Sequence, residues 1–147
     1  DAAAVEKNYR QGIARKDKSL LPLLLDLTNP TPALGWHHAE RTSLAQRGPA
    51  DLVMALALVH HLAIGNNTPL GNIAAFLADI GHSLIIEFVP KTDSQVLRLL
   101  TSRTDFFDKY TQEEFERAFN KHFEIKNTNP IAGSQRVLYL MTKKQTQ

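Results

Sequence analysis

Pro49-Ala50-Asp51-Leu52-Val53-Met54-Ala55-Leu56-Ala57-Leu58-Val59-His60-His61-Leu62 is the stretch on which the reading of this chain turns. From Leu52 to Val59 no side chain is polar, so nothing alternates with the period of a strand that has one wet face. A run this short, bounded by Gly48-Pro49 and a His pair, reads as a strand buried on both faces, as in parallel sheets covered by helices. Leu84-Ile85-Ile86-Glu87-Phe88-Val89 has the same character. Between the two, Thr68-Pro69 opens a helix with Leu70, Ile73, Ala74, Leu77 and Ile80 on one side. The three together predict a right-handed strand-helix-strand crossover. Ligands of such sheets lie beyond the carboxyl ends of the strands, so Ala55–His61 and Glu87–Lys91 are where chemistry is expected.

Outward from this centre the same logic predicts further elements. Asp1–Lys16 reads as a helix, and Leu20–Leu27 as a third buried strand with Pro22 at its start. His38–Arg47 reads as a short helix closed by Gly48. Lys91-Thr92-Asp93-Ser94 caps a helix running to about Ser102. Thr111 and Glu114 form a capping box ahead of Phe115, Ala118, Phe119 and His122. Phe123–Lys126 and Arg136–Thr142 read as an antiparallel hairpin. Trp36-His37-His38 reads as part of a lid, or Trp36 as a packed anchor, and Phe106-Phe107 with Tyr110 as a cap on the core or as the wall of a substrate pocket.

With 147 residues, 43% apolar and 22% charged, the chain has the size and composition of one globular domain. A formal charge of +2 with no Lys/Arg block does not indicate a nucleic-acid partner. Having no cysteine excludes disulfides, zinc-thiolate sites and iron-sulfur clusters. No apolar run reaches the roughly 20 residues of a membrane span. A cytoplasmic location is compatible with both observations.

Four segments together resemble the carboxyl-terminal two-thirds of class I methyltransferases that use S-adenosylmethionine. They are Asp1-Ala2-Ala3-Ala4-Val5-Glu6-Lys7-Asn8-Tyr9-Arg10, Leu23-Leu24-Leu25-Asp26-Leu27, Ala50–Leu62 and Leu84–Pro90. Within that family the nodulation-protein-like methyltransferases are a closer look-alike. The resemblance implies an α/β fold, a Rossmann-like, doubly wound and mainly parallel sheet ending in a C-terminal antiparallel hairpin. It implies S-adenosylmethionine as cofactor, methyl transfer as the reaction, and leaves the acceptor unidentified. One departure is large. All seven glycines are isolated, so the Gly-rich turn after the family's first strand has no counterpart. The first two strands are therefore expected to be missing, leaving a gap on the order of 10 Å inside the sheet. Leu52–Val59 would then be an exposed edge, to be covered by an upstream segment, by a second copy or by re-pairing with Leu23–Leu27.

The same resemblance assigns candidate residues, each with a plainer alternative. Asp26, with the Leu27 amide, would meet the adenine, or Asp26 opens a turn with Thr28. Asp1 would hold the ribose hydroxyls, or cap its helix. Ala55, Leu56 and Ala57 would let backbone carbonyls reach the methionine amino group, or are small for packing. His60 or His61 would take a proton from the acceptor, although neighbours on a helix point about 100° apart. As a zinc site that pair lacks i, i+4 spacing and a third ligand, so no metal is implied. Glu87 would orient the acceptor or serve as base, or pairs with Lys91 or Arg98, since a carboxylate inside a buried strand must be compensated. Two other functions compete: a non-catalytic, truncated module for binding or oligomerisation, and, less well matched, a nicotinamide-dependent oxidoreductase that would also need a glycine fingerprint.

Overall fold

The computed structural model describes residues 1–101 and 107–145, which separate into two compact units, Asp1–Ser43 and Leu44–Gln147. Phe106 and Ser102 lie outside the described residues.

In the first unit, helix α1 (Ala2–Arg15) starts where Asp1 accepts the Ala3 N–H at 2.9 Å. It stops at Lys16, whose left-handed backbone (φ 54°) returns its N–H to the carbonyls of Gly12 and Ile13. No residue of α1 is buried, and Tyr9 and Ile13 of its apolar stripe stay exposed. The strand expected over Leu20–Leu27 does not form. That stretch is irregular, with Leu20, Leu21, Leu23, Leu24 and Leu25 exposed. An apolar run becomes a strand only when a neighbour supplies its ladder hydrogen bonds. Among the described residues none pairs with it. Trp36 begins a single 3₁₀ turn (Trp36–His38) and is 85% exposed, so it is no packed anchor.

The second unit opens with helix α2 (Leu44–Arg47), the last turn of the helix expected over His38–Arg47, and is built on a four-stranded sheet. Its strands are β1 (Ala50–Ala55), β2 (Gly81–Phe88), β3 (Phe123–Pro130) and β4 (Val137–Lys143), in the order β1-β2-β4-β3. β1 and β2 run parallel, Ala50 opposite Gly81 and Ala55 opposite Ile86, joined through helix α3 (Leu70–Ile80). β4 is antiparallel to β2 and to β3. The expected crossover and closing hairpin are both present, but the sheet is mixed, with one parallel pairing against two antiparallel ones.

The central stretch itself is corrected. β1 ends at Ala55, and by Val59-His60 the chain has entered a helical turn that continues as a single π-helical turn, His61–Gly65. β1 is an edge of the sheet, and only Ala55 in it is buried, while Leu52 and Met54 are 45% and 60% exposed. β2, flanked on both sides, buries Leu84, Ile86, Glu87 and Phe88, and Val89 beyond it. A strand's burial follows its neighbours rather than its composition.

α3 buries Ile73, Ala74, Leu77 and Ala78, and Pro69 rather than Thr68 occupies its cap position. Helices α4 (Ser94–Leu100) and α5 (Gln112–Phe119) are capped by Asp93 and Thr111, as their sequences predict. α5 presses Phe115 and Phe119 inward, where an aromatic cluster forms with Phe88, Tyr110, Phe123 and Tyr139. Each of these rings contributes roughly 2–3 kcal/mol by leaving water. Tyr110, one of the three residues of the expected aromatic cap, is buried and donates its hydroxyl to the Val89 carbonyl at 2.9 Å.

Candidate functional site

Where β1 and β2 end, the chain brings four chemically capable side chains into one neighbourhood. Leaving β1, the backbone turns at Leu56-Ala57, and Ala57 takes a left-handed conformation (φ 48°) uncommon for a residue other than glycine. Glu87, near the end of β2, holds that turn. Its Oε2 accepts the Ala57 N–H at 2.7 Å, across 30 residues of sequence. Its Oε1 accepts from Arg136 Nη1 at 3.1 Å. Arg136 stands just before β4 and also grips Asp93 in a fork, Nε to Oδ2 at 2.7 Å and Nη2 to Oδ1 at 3.1 Å. Asp93 Oδ1 accepts the Gln95 N–H as well and so caps α4.

The guanidinium is thus the hub. Its fixed geometry suits two carboxylates at once, which an ammonium would not match. Glu87 and Asp93 side chains are only 10% and 13% exposed, and the shared cation compensates their desolvation. Hydrogen bonds from Arg136 hold the Asp93 carboxyl below its ordinary range and push the guanidinium pKa further up. Two carboxylates against one cation give the Glu87–Arg136–Asp93 network, taken by itself, one excess negative charge.

His60 completes the group. It is 1% exposed, and its Nδ1 has no hydrogen-bond partner among the described residues. Burial first, then the neighbouring His61 and Arg136, lower its pKa to about 4, with Asp93 and Glu87 opposing. At neutral pH His60 is an uncharged imidazole. His61 lies with its ring centroid 4.2 Å from that of His60, and it is exposed. The pair therefore divides between the core and the surface.

The sequence candidates fall into two groups. Ala55, Leu56, Ala57, His60, His61 and Glu87 all belong to this one end of the β1–β2 pair in the second unit. Ala55 is buried and Leu56 half-exposed. Asp1, Asp26 and Leu27 belong to the first unit. Asp1 caps α1, and Asp26 Oδ1 accepts the N–H and hydroxyl of Thr28 at 2.9 and 2.7 Å. Those two bonds hold the Asp26 carboxyl below its ordinary range, and Leu27 sits in the same turn. Both plainer roles are thus present in this unit.

Sequence reasoning missed Arg136 and Asp93. Glu87 pairs with neither Lys91 nor Arg98 in this network but with a residue 49 positions away. No local signal in the sequence marks Arg136; the strand register does. β4 lies beside β2 with Phe88 opposite Val137, which sets Arg136 just past the end of β2.

A cleft of about 500 Å³ opens nearby, lined by Ala63, Leu70, Gly71, Phe107, Tyr110 and Ala118, with Lys109 and Lys121 among its charged lining. Among the described residues no cluster of three His, Cys, Asp or Glu could hold a metal ion, and no helix is long and apolar enough to cross a membrane.

No family model and no solved structure matches the chain. It is similar to nodulation protein NoeA of Rhizobium meliloti (strain 1021), with 42% identity over 145 residues. The match covers 99% of this chain and 30% of NoeA, so the chain spans under a third of the length of that curated relative.

Proposed function

We propose that this chain is the C-terminal portion of an S-adenosylmethionine-dependent methyltransferase acting on an acceptor not yet identified. One observation carries the reading: the parallel β1–α3–β2 crossover ends in the buried Glu87–Arg136–Asp93 network, wrapped around the Ala57 turn. In open sheets that is the end at which ligands bind. The donor set also fits the cofactor in charge, because a network with one excess negative charge suits a sulfonium and an ammonium group.

S-adenosylmethionine, when bound, supplies a methyl group on a positively charged sulfur leaving group. The chain's own part is positioning, since in-line displacement depends mainly on alignment. In this reading the backbone at Ala55, Leu56 and Ala57 faces the amino-acid end of the cofactor, with Glu87 holding the turn in shape. His61, exposed beside buried His60, is the group able to receive the proton the acceptor gives up. The sheet would then be part of a doubly wound one, its open β1 edge completed by further strands from a longer form or from a second copy.

A second reading, a non-catalytic binding or oligomerisation module, is favoured by that same edge, with Leu52 and Met54 exposed, and by the lack of any G-x-G. Calorimetric titration of S-adenosylhomocysteine into this chain and into a longer form separates the two. Binding by the longer form, weakened by Glu87→Gln, supports methyl transfer. No heat from either form eliminates it in favour of the module.

A further inference from the structure

We propose that the cleft beside α5 binds a small organic anion with an apolar body, independently of any methyl-transfer role. α5 presents two faces. Phe115 and Phe119 enter the aromatic core, whereas Glu114, Arg117 and Ala118 follow one another at i, i+3 and i+4 along the cleft, and Lys121 lines it from the turn just after the helix. Opposite them stand the start of α3 and the segment Phe107–Tyr110.

The hollow exists because small residues line it: Ala63, Gly71 and Ala118 stand where larger side chains would fill it. A Cβ built at Gly71 meets nothing within 4 Å. Its volume, about 500 Å³, lies in the range of small-molecule sites. Leu70, Phe107 and the Tyr110 ring give it an apolar wall. That wall suits a hydrocarbon or aromatic body.

The charges select the sign of the ligand. Glu114 and Arg117 neutralise one another in an ion pair at 2.5 Å. Lys109 and Lys121 are exposed and make no ion pair among the described residues, and among those that line the cleft Asp108 alone opposes them. The described lining therefore carries one net positive charge. The first N–H groups of α3, at Leu70 and Gly71, add to it, because no side chain caps that helix. A carboxylate on a short apolar stem satisfies both halves of the cleft. A cation of the same shape satisfies only one.

Octanoate and octylammonium, matched in length and opposite in charge, provide the test on the 147-residue chain at low salt. Calorimetry or amide-shift titration should show octanoate binding in the millimolar range or tighter. Octylammonium should bind at least about tenfold more weakly. The double variant Lys109→Glu/Lys121→Glu should lower octanoate affinity at least about tenfold, and Gly71→Leu, which fills open space, should abolish it. Circular dichroism melts of both variants should match the parent, since the lysines are exposed and position 71 is open. Absence of octanoate binding overturns the proposal. So does equal binding of octylammonium, or octanoate affinity unmoved by either variant.

Discussion

His60 shows how position sets a residue's chemistry. Exposed, an imidazole gains a proton near pH 6.5; here burial lowers that to about 4. Between those values the unfolded chain binds a proton that the folded chain refuses, so stability rises with pH across that window and is lost as pH falls through it. The loss from this one group is on the order of 3 kcal/mol at most by pH 4. His60→Leu should flatten the pH dependence of chemical denaturation between 6.5 and 4, leaving the steeper loss below about pH 4, where Asp93 must take its proton. An unchanged slope would mean His60 reaches water. Arg136 is the companion case. Arg136→Met strands the buried Glu87 carboxylate and the partly buried Asp93 one, and should cost about 3 kcal/mol in urea denaturation. Glu87→Gln, which keeps an acceptor for the Ala57 N–H, should cost about 1 kcal/mol.

At the scale of elements, the β1–β2 pair is spaced by a glycine. An added Cβ at Gly81 would lie 2.5 Å from Val53 Cγ2, and a β-branched side chain has little freedom to retreat. Gly81→Ala should therefore destabilise the second unit by about 1–3 kcal/mol. Val53→Ala in the same chain should return much of that loss, a coupling that a double-mutant cycle measures. Equal effects of Gly81→Ala with and without Val53 would show that the strands adjust freely.

The elements also mark how far sequence patterns carry. α3, α4, α5, β2 and the hairpin were legible, because caps such as Asp93 and Thr111 and the stripe Phe115–Phe119 are local signals. Leu20–Leu27 and Leu52–Val59 look alike as strings, yet one has no strand at all and the other gives way after Ala55. The difference lies in pairing partners distant in sequence, which composition does not encode. The same holds at the candidate site. Glu87 announced itself as a carboxylate in an apolar run, whereas its partner Arg136 became identifiable only once β4 lay beside β2.

For the molecule as a whole, the distribution of apolar surface is the governing feature. Leu52 and Met54 on the β1 edge, and five leucines between Leu20 and Leu25, face outward. An open edge strand that exposes apolar side chains is a template for another chain. Sedimentation should show self-association that increases with concentration, and Met54→Lys should reduce it without altering the circular dichroism spectrum, because position 54 is 60% exposed. If the parent stays monomeric at high concentration, that edge is shielded in solution.

Trp36 carries a practical corollary. It is the single tryptophan of the chain, it belongs to the first unit, and it is 85% exposed. Its indole emits from water before any denaturant is added, so intrinsic fluorescence excited at tryptophan will barely register the melting of the sheet. Tyr110 and Tyr139, both buried in the aromatic cluster, are the chromophores whose near-ultraviolet signal follows that event.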